Sequence, residues 1–185
     1  NGRFQAALKA KRPCHRFFHD FFKAYDLASR RFVMTILHML GVPDTYLNII
    51  KSLFVKNRVF PLMADSHKIT IDIGNGLKQG DPLSPLLYFV YIDPLLTYME
   101  LLPITTEGAF FDDLSVDFAD WSVPPIFLKL IADFNSVSGA QSNFKKGAFI
   151  STVDTTLPED AMLPQEWRNA KIVPQHKYLG VWAGP

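Results

Sequence analysis

The chain has 185 residues and a mass of 21.0 kDa, with 48% hydrophobic and 20% charged residues, a composition that fits one folded domain and excludes a disordered tail. Its longest uninterrupted apolar stretch, residues 86–92, is far below the ~18–20 residues that span a bilayer, and its one cysteine, Cys14, cannot build a disulfide framework. The formal charge of +1 conceals a segregation: residues 1–31 hold eight basic residues against Asp20 and Asp26, whereas residues 101–160 hold three lysines against nine acids. The first segment suits a polyanion and the second suits bound cations.

Periodicity predicts a mixed order of helices and mainly antiparallel strands. Residues 16–21 read as a strand. Residues 27–40 place Phe32, Ile36, Leu37 and Leu40 at helical spacing with Gly41 as the stop, and Pro43 opens a second helix through Tyr46, Ile49, Ile50, Leu53 and Phe54. Residues 59–63 and 69–73 flank a polar turn, Asp65-Ser66-His67, and read as a hairpin. Residues 82–99 are apolar and long, which predicts a buried helix. Residues 108–118 bracket Asp112-Asp113 and predict a second hairpin with two carboxylates in its turn. A helix over 121–137 and strands over 148–153 and 178–182 complete an α+β architecture.

Three acids stand beside apolar strand residues: Asp20 follows Phe17-Phe18-His19, and Asp112 and Asp113 follow Ala109-Phe110-Phe111. Carboxylates at the ends of buried strands are costly unless a cation offsets them. Two brought side by side repel, and a divalent ion relieves that repulsion while taking their oxygens as hard ligands. The plainer reading makes Asp-Asp a turn or helix cap and Asp20 a capping residue. A third element, Gly76-Leu-Lys-Gln-Gly-Asp-Pro-Leu-Ser-Pro85, adds two glycines that let a backbone lie close to a ligand, and Gln79 with both donors and acceptors. Asp81 or Ser84 can cap the following helix, with Pro82 or Pro85 in its first turn.

Asp20-Phe-Phe-Lys-Ala-Tyr-Asp26, the 76–85 element, Phe110-Phe-Asp-Asp113, Ser138-Gly-Ala-Gln-Ser-Asn-Phe-Lys-Lys146 and Tyr178-Leu-Gly-Val-Trp182 follow one another in that order. Together they resemble the successive palm motifs A to E of reverse transcriptases, specifically the non-LTR (LINE-type) retrotransposon class. The resemblance spans about residues 15–183. It implies an RNA-directed DNA polymerase palm, an antiparallel sheet backed by helices. Residues 16–183 would carry the motifs and residues 1–15 would be residual fingers or linker, with the fingers incomplete and the thumb absent.

The resemblance also implies roles. Asp20 and Asp112 would bridge two Mg²⁺ ions (or Mn²⁺), with Asp113 the adjacent acid and the backbone carbonyl of Phe21 completing a metal shell. Tyr25 would lie beneath the incoming sugar and exclude a 2′-hydroxyl; its plainer reading is a core aromatic. Gln79 and Gly80 would meet the templating base and nucleotide. Lys146, of an Asn-x-x-Lys element, would donate a proton to pyrophosphate or else be an ordinary surface lysine. Tyr178, Leu179 and Gly180 would belong to a hairpin that grips the primer, while Trp182 reads equally as core.

The implied partners are an RNA template, a DNA primer and dNTP, together with fingers, thumb and endonuclease segments of a parent polypeptide, and no membrane. Phe111 departs from the small residue usual in the catalytic turn, His19 from an apolar one, and Lys145-Lys146-Gly147 from a Lys-Ser/Thr ending. Two alternatives stay open: a decayed or domesticated palm serving as a nucleic-acid-binding or scaffold module, and an unrelated metal-dependent phosphatase or nuclease. The lone thiol suits a reducing compartment, and no leader sequence opens the chain, so a nuclear or cytoplasmic location is expected rather than secretion. The missing initiator Met and the stop just after an apolar run suggest a piece of a longer polypeptide, inactive or nearly so alone.

Overall fold

The structure is a computed structural model that describes residues 2–55, 58–59, 71–72, 74–110, 113–159, 161–167, 170–178 and 181–184. In chain order the first elements are α1 (Gly2–Lys9), β1 (His15–Asp20), α2 (Ala24–Leu27), α3 (Arg30–Met39), α4 (Asp44–Phe54), β2 (Arg58–Val59), β3 (Ile71–Asp72) and α5 (Ser84–Met99). There follow β4 (Thr105–Phe110), β5 (Asp113–Phe118), α6 (Val123–Ser138), β6 (Ala148–Ser151), a 3-10 turn (Gln165–Trp167), β7 (His176–Tyr178) and β8 (Val181–Ala183). The chain divides into two compact units, one of Asn1–Ala24 with Ile92–Pro185 and one of Tyr25–Tyr91. Among the described residues no helix is long and apolar enough to cross a membrane.

The first unit is built on a four-stranded antiparallel sheet in the order β4-β5-β1-β6. Its inner strand β1 is buried throughout, because helices and loops cover both faces. Strand alternation sends His15, Phe17 and His19 one way and Arg16, Phe18 and Asp20 the other. On the first face Phe17 stacks on Phe149 of β6 at 4.5 Å and meets Phe127 of α6 and Trp167 edge-on at 6.0 and 5.0 Å. On the second, Phe18, Cys14 and Ile150 close over Phe4 of α1. Within residues 1–15, expected as residual fingers or linker, residues 2–9 form a helix anchored in this core, and Phe4 is only 1% exposed.

The register of β1 is held by an ion pair. Arg16 and Asp117, with side chains 3% and 4% exposed, face each other across β1 and β5, and the Arg16 Nη2 donates to Asp117 Oδ2 at 2.7 Å. Arg16 therefore spends its charge inside the protein rather than on a polyanion. Six residue pairs follow in register from His15↔Phe118 to Asp20↔Asp113.

In the second unit α3 starts later than residue 27, because Ser29 caps it: its Oγ accepts from the Phe32 N–H at 3.2 Å. Gly41, at φ 77°, follows the C-terminal end of α3, and α4 begins after Pro43 as expected. Strands β2 and β3 pair antiparallel; the turn at Asp65-Ser66-His67 lies outside the described residues. Arg30 donates to the Gly76 carbonyl at 2.7 Å and sits 4.9 Å from the Phe54 ring, so it ties the 76–85 loop to α4.

The helix expected over 82–99 forms as α5 and is buried along one side: Leu87, Tyr88, Tyr91, Ile92, Leu95 and Met99 are buried, whereas Leu86, Phe89 and Tyr98 are exposed. An all-round apolar sequence does not announce which side is covered. The late strand expected from periodicity over 178–182 is divided between β7 and β8, which pair antiparallel as the resemblance to a hairpin implies, with residues 179–180 outside the described set.

Candidate active site

The last register pair of β1 and β5 is Asp20↔Asp113. Cross-strand partners lie on the same face of a sheet a few ångströms apart, so two carboxylates meet where the two inner strands of the sheet end. Asp20 is 7% exposed and Asp113 partly exposed. Both line a cavity of about 760 Å³ that also includes Phe18, Lys145, Lys146, Lys171, His176 and Lys177. The hairpin expected around Asp112-Asp113 forms, with Phe110↔Asp113 as its innermost described pair; Phe111 and Asp112 lie outside the described residues.

The segment following α6 fixes Asp20 in place. Gly139 ends α6 in the left-handed region at φ 80°, and the chain then returns alongside β1. Phe22 N–H donates to the Gln141 carbonyl and Asn143 N–H to the Asp20 carbonyl, each at 2.8 Å, bracketing the bridge between Phe21 and Ser142. Asn143 does more with its side chain, whose Nδ2 donates to Asp20 Oδ2 at 2.8 Å. A turn then closes from Lys146 N–H to the Asn143 carbonyl at 3.0 Å, and the Lys146 ammonium reaches Asp20 Oδ1 at 3.0 Å. The three-residue spacing of Asn143 and Lys146 is what places both on one carboxylate.

His19, beside Asp20, is 2% exposed, and its Nε2 lies 3.0 Å from the Ser142 hydroxyl, which also accepts from Asn135 Nδ2. Burial pushes its pKa down to about 3, against the opposing pull of Asp20. His19 is thus a neutral core residue, which explains how it stands in a position suited to an apolar one. Burial also lowers the pKa of His176, whose ring stacks on Phe18 at 4.5 Å.

Tyr25, Gln79 and Gly80 line a separate hollow of about 480 Å³ in the second unit, with Asp81, Pro82, Ser84 and Pro85. Tyr25 stacks almost parallel on Tyr88 of α5 at 4.8 Å. The Asp81 carboxylate accepts from Leu83 N–H at 2.9 Å, just before α5 begins. Among the described residues no atom lies within 4 Å of where a Cβ on Gly80 (φ 85°) would stand, whereas Gly76 (φ 78°) lies against the backbone of Asp26. Of the two glycines expected to approach a ligand, Gly76 approaches its own chain. Tyr178 lies on β7, and Leu179 and Gly180 lie outside the described residues.

Asp20 and Asp113 supply hard oxygen donors of the kind Mg²⁺ takes, and Asp20 already binds one cation, the Lys146 ammonium. That donor set fits a divalent ion, although among the described residues no group of three His, Cys, Asp or Glu is gathered. Asn143, which holds Asp20, and the cavity residues Lys171 and Lys177 had no assigned role in the sequence. Asn143 was visible only as part of the Asn-x-x-Lys spacing. Lys171 and Lys177 had no local signal; Lys171 reaches the cavity because Phe149 bridges in parallel to Ile172.

A family model described as reverse transcriptase (RNA-dependent DNA polymerase) matches residues 3–183. The chain belongs to the reverse-transcriptase family. The Pol polyprotein of a type-1 R2 retrotransposable element from Popillia japonica is 32% identical over 142 residues, 71% of this chain and 20% of that protein. That of the type-2 element R2DM from Drosophila melanogaster is 30% identical over 147 residues, 73% of this chain and 13% of that protein. These relatives make it a reverse-transcriptase domain of the non-LTR class, spanning a fifth or less of their length. The apo telomerase of Candida tropicalis shares the fold, with a TM-score of 0.67 and 13% identity over 98% of this chain and 36% of that one. A telomerase of the same organism in complex with a fragment of telomeric RNA matches 84% of this chain and 29% of that one, with a TM-score of 0.62 and 12% identity. The carboxylate pair at the β1 and β5 ends is therefore the candidate active site of a reverse-transcriptase domain.

Proposed function

We propose that this chain is the catalytic core of an RNA-directed DNA polymerase within a longer retrotransposon polyprotein, adding deoxynucleotides to a primer 3′-hydroxyl on an RNA template. The observation that carries the reading is the Asp20↔Asp113 pair on the wall of a cavity rimmed by Lys145, Lys146, Lys171 and Lys177. Paired carboxylates with surrounding cations suit a reaction in which phosphate charge is gathered and redistributed.

Asp20, Asp112 and Asp113, with the Phe21 carbonyl, would hold the divalent cations. When bound, two Mg²⁺ ions (or Mn²⁺) would lower the pKa of the attacking hydroxyl and neutralise the leaving pyrophosphate. The protein's own share is positioning. Tyr25, held by its stacking on Tyr88, would bar a 2′-hydroxyl and so select dNTP. Gln79 would use its amide on the nucleotide and templating base, and the open approach at Gly80 leaves room for them. The hairpin of Tyr178, Leu179 and Gly180 would hold the primer terminus, and Lys146 would deliver a proton to pyrophosphate. The fingers, thumb and endonuclease segments would come from the parent polypeptide.

Primer extension by that parent polypeptide on an RNA template tests this reading. Extension is expected to fall roughly 10²–10³-fold in Asp20→Asn, the loss typical when a charge-stabilising group is removed, and the 185-residue chain alone should extend far more slowly, since positioning supplies much of the rate. Extension kept within a few fold in Asp20→Asn overturns the assignment. The competing reading, a palm retained for binding, draws on the internal Lys146–Asp20 ion pair; it predicts template binding with no extension.

A further inference from the structure

The two oxygens of Asp20 have unlike partners. Oδ2 accepts from Asn143 Nδ2 at 2.8 Å, and Oδ1 from Lys146 Nζ at 3.0 Å. Asn143 is tied to the same strand end, because its N–H donates to the Asp20 carbonyl at 2.8 Å. Its own carbonyl accepts from the N–H groups of Lys146 and Gly147 at 3.0 and 3.3 Å. Moving Asn143 would mean breaking a strand-like contact and a turn together. Lys146 is different: its side chain is 65% exposed, against 10% for Asp20, and its four-carbon stem can withdraw into water without disturbing the backbone.

Charge balance gives the two partners separate work. Asp20 and Asp113 sit opposite each other, and a carboxylate that is nearly buried needs a cation. Lys146 provides one positive charge. A divalent ion on the same oxygen provides two, and it would repel an ammonium left within hydrogen-bonding distance. We propose that Lys146 is a built-in counter-cation on Asp20 Oδ1 that a divalent ion displaces, while Asn143 is a positioning residue that keeps Oδ2 fixed through the exchange. This rests on reading Asp20 as a metal ligand. The metal-free site is thereby held in its ligating shape, at the cost of some metal affinity. Binding of the ion also returns the ammonium to a cavity lined by Lys145, Lys171 and Lys177, where an anion can use it.

The exchange is tested on the 185-residue chain by titrating Mg²⁺ calorimetrically and following lysine ammonium resonances by NMR, with Lys146→Met identifying the Lys146 signal. Lys146→Met is expected to bind Mg²⁺ roughly two- to fivefold more tightly, the scale of a solvent-exposed ion pair. Asn143→Ala is expected to bind more weakly, and the Lys146 resonance should shift in step with Mg²⁺ occupancy while that of Lys145 stays. A purely structural ion pair would lower the melting temperature of Lys146→Met without tightening Mg²⁺. Saturation of the wild type with a static Lys146 signal, or unchanged or weaker binding in Lys146→Met, overturns the exchange and leaves the metal reading standing. Mg²⁺ binding undiminished by Asp20→Asn, or absent from both wild type and Lys146→Met, overturns both.

Discussion

Gly76 and Gly80 both have positive φ, yet they answer to different constraints. A Cβ on Gly76 would collide with the Asp26 backbone, while one on Gly80 meets nothing within 4 Å among the described residues. Gly80→Ala should therefore cost only the left-handed strain, about 1–2 kcal/mol, and Gly76→Ala clearly more, as read from urea unfolding; equal losses would contradict this. The buried histidines of β1 give a pH dependence. His19, its pKa pushed down to about 3 by burial, stays neutral when folded but titrates near 6.5 when unfolded, and burial lowers the pKa of His15 as well, against the pull of Asp154 and Asp120. The unfolded chain then takes up more protons, so stability is full above about pH 6.5 and falls as the pH drops toward 3, by roughly 1.4 kcal/mol per pH unit for each such proton. His19→Gln, which keeps a polar group toward Ser142, should flatten that slope in urea midpoints between pH 6.5 and 4; an unchanged slope would mean that His19 takes up its proton in the folded state. The carboxylates were legible in sequence because an acid after a run of Phe is conspicuous. The burial of His19 was not, since a histidine carries no sign of which side of a strand it will face.

Among the elements, β1 does most to align the site, and the Arg16–Asp117 pair fixes its register. A slip of one residue would turn Asp20 to the opposite face of the sheet. Asp117→Ala would leave the Arg16 guanidinium buried without this carboxylate, and a loss of about 3–5 kcal/mol is expected in chemical denaturation. Arg16→Met with Asp117→Leu should recover most of it; a loss below 1 kcal/mol in Asp117→Ala would contradict the role given to the pair. The strands and long helices were legible from periodicity and from Gly41 and Pro43. Helix α1 was not, because Phe4 is its one large core residue, and eight residues give too little period to read. The pairing of β7 with β8 was legible only through the motif resemblance, because strands of three residues leave no room for alternation to show. Arg16 and Arg30 looked like part of a surface charge because a basic count takes no account of burial or of the carbonyls that Arg30 binds.

For the molecule as a whole, five ordered motifs made the family legible, since their order survives even where single residues depart. What the sequence left open was how the carboxylate is held. That depends on Asn143 and Lys146 returning to β1 across more than 120 residues of chain, a contact no local pattern encodes. The central claim is that the β1 and β5 strand ends form one divalent-cation site. Replacing Mg²⁺ with Fe²⁺ in the presence of peroxide and ascorbate cuts a backbone where the ion sits, and mass spectrometry locates the cuts. Cleavage is expected close to Asp20 and close to Asp113, abolished by excess Mg²⁺ and by Asp20→Asn. Cuts confined to other segments, or cuts at these two that persist in Asp20→Asn, would contradict it.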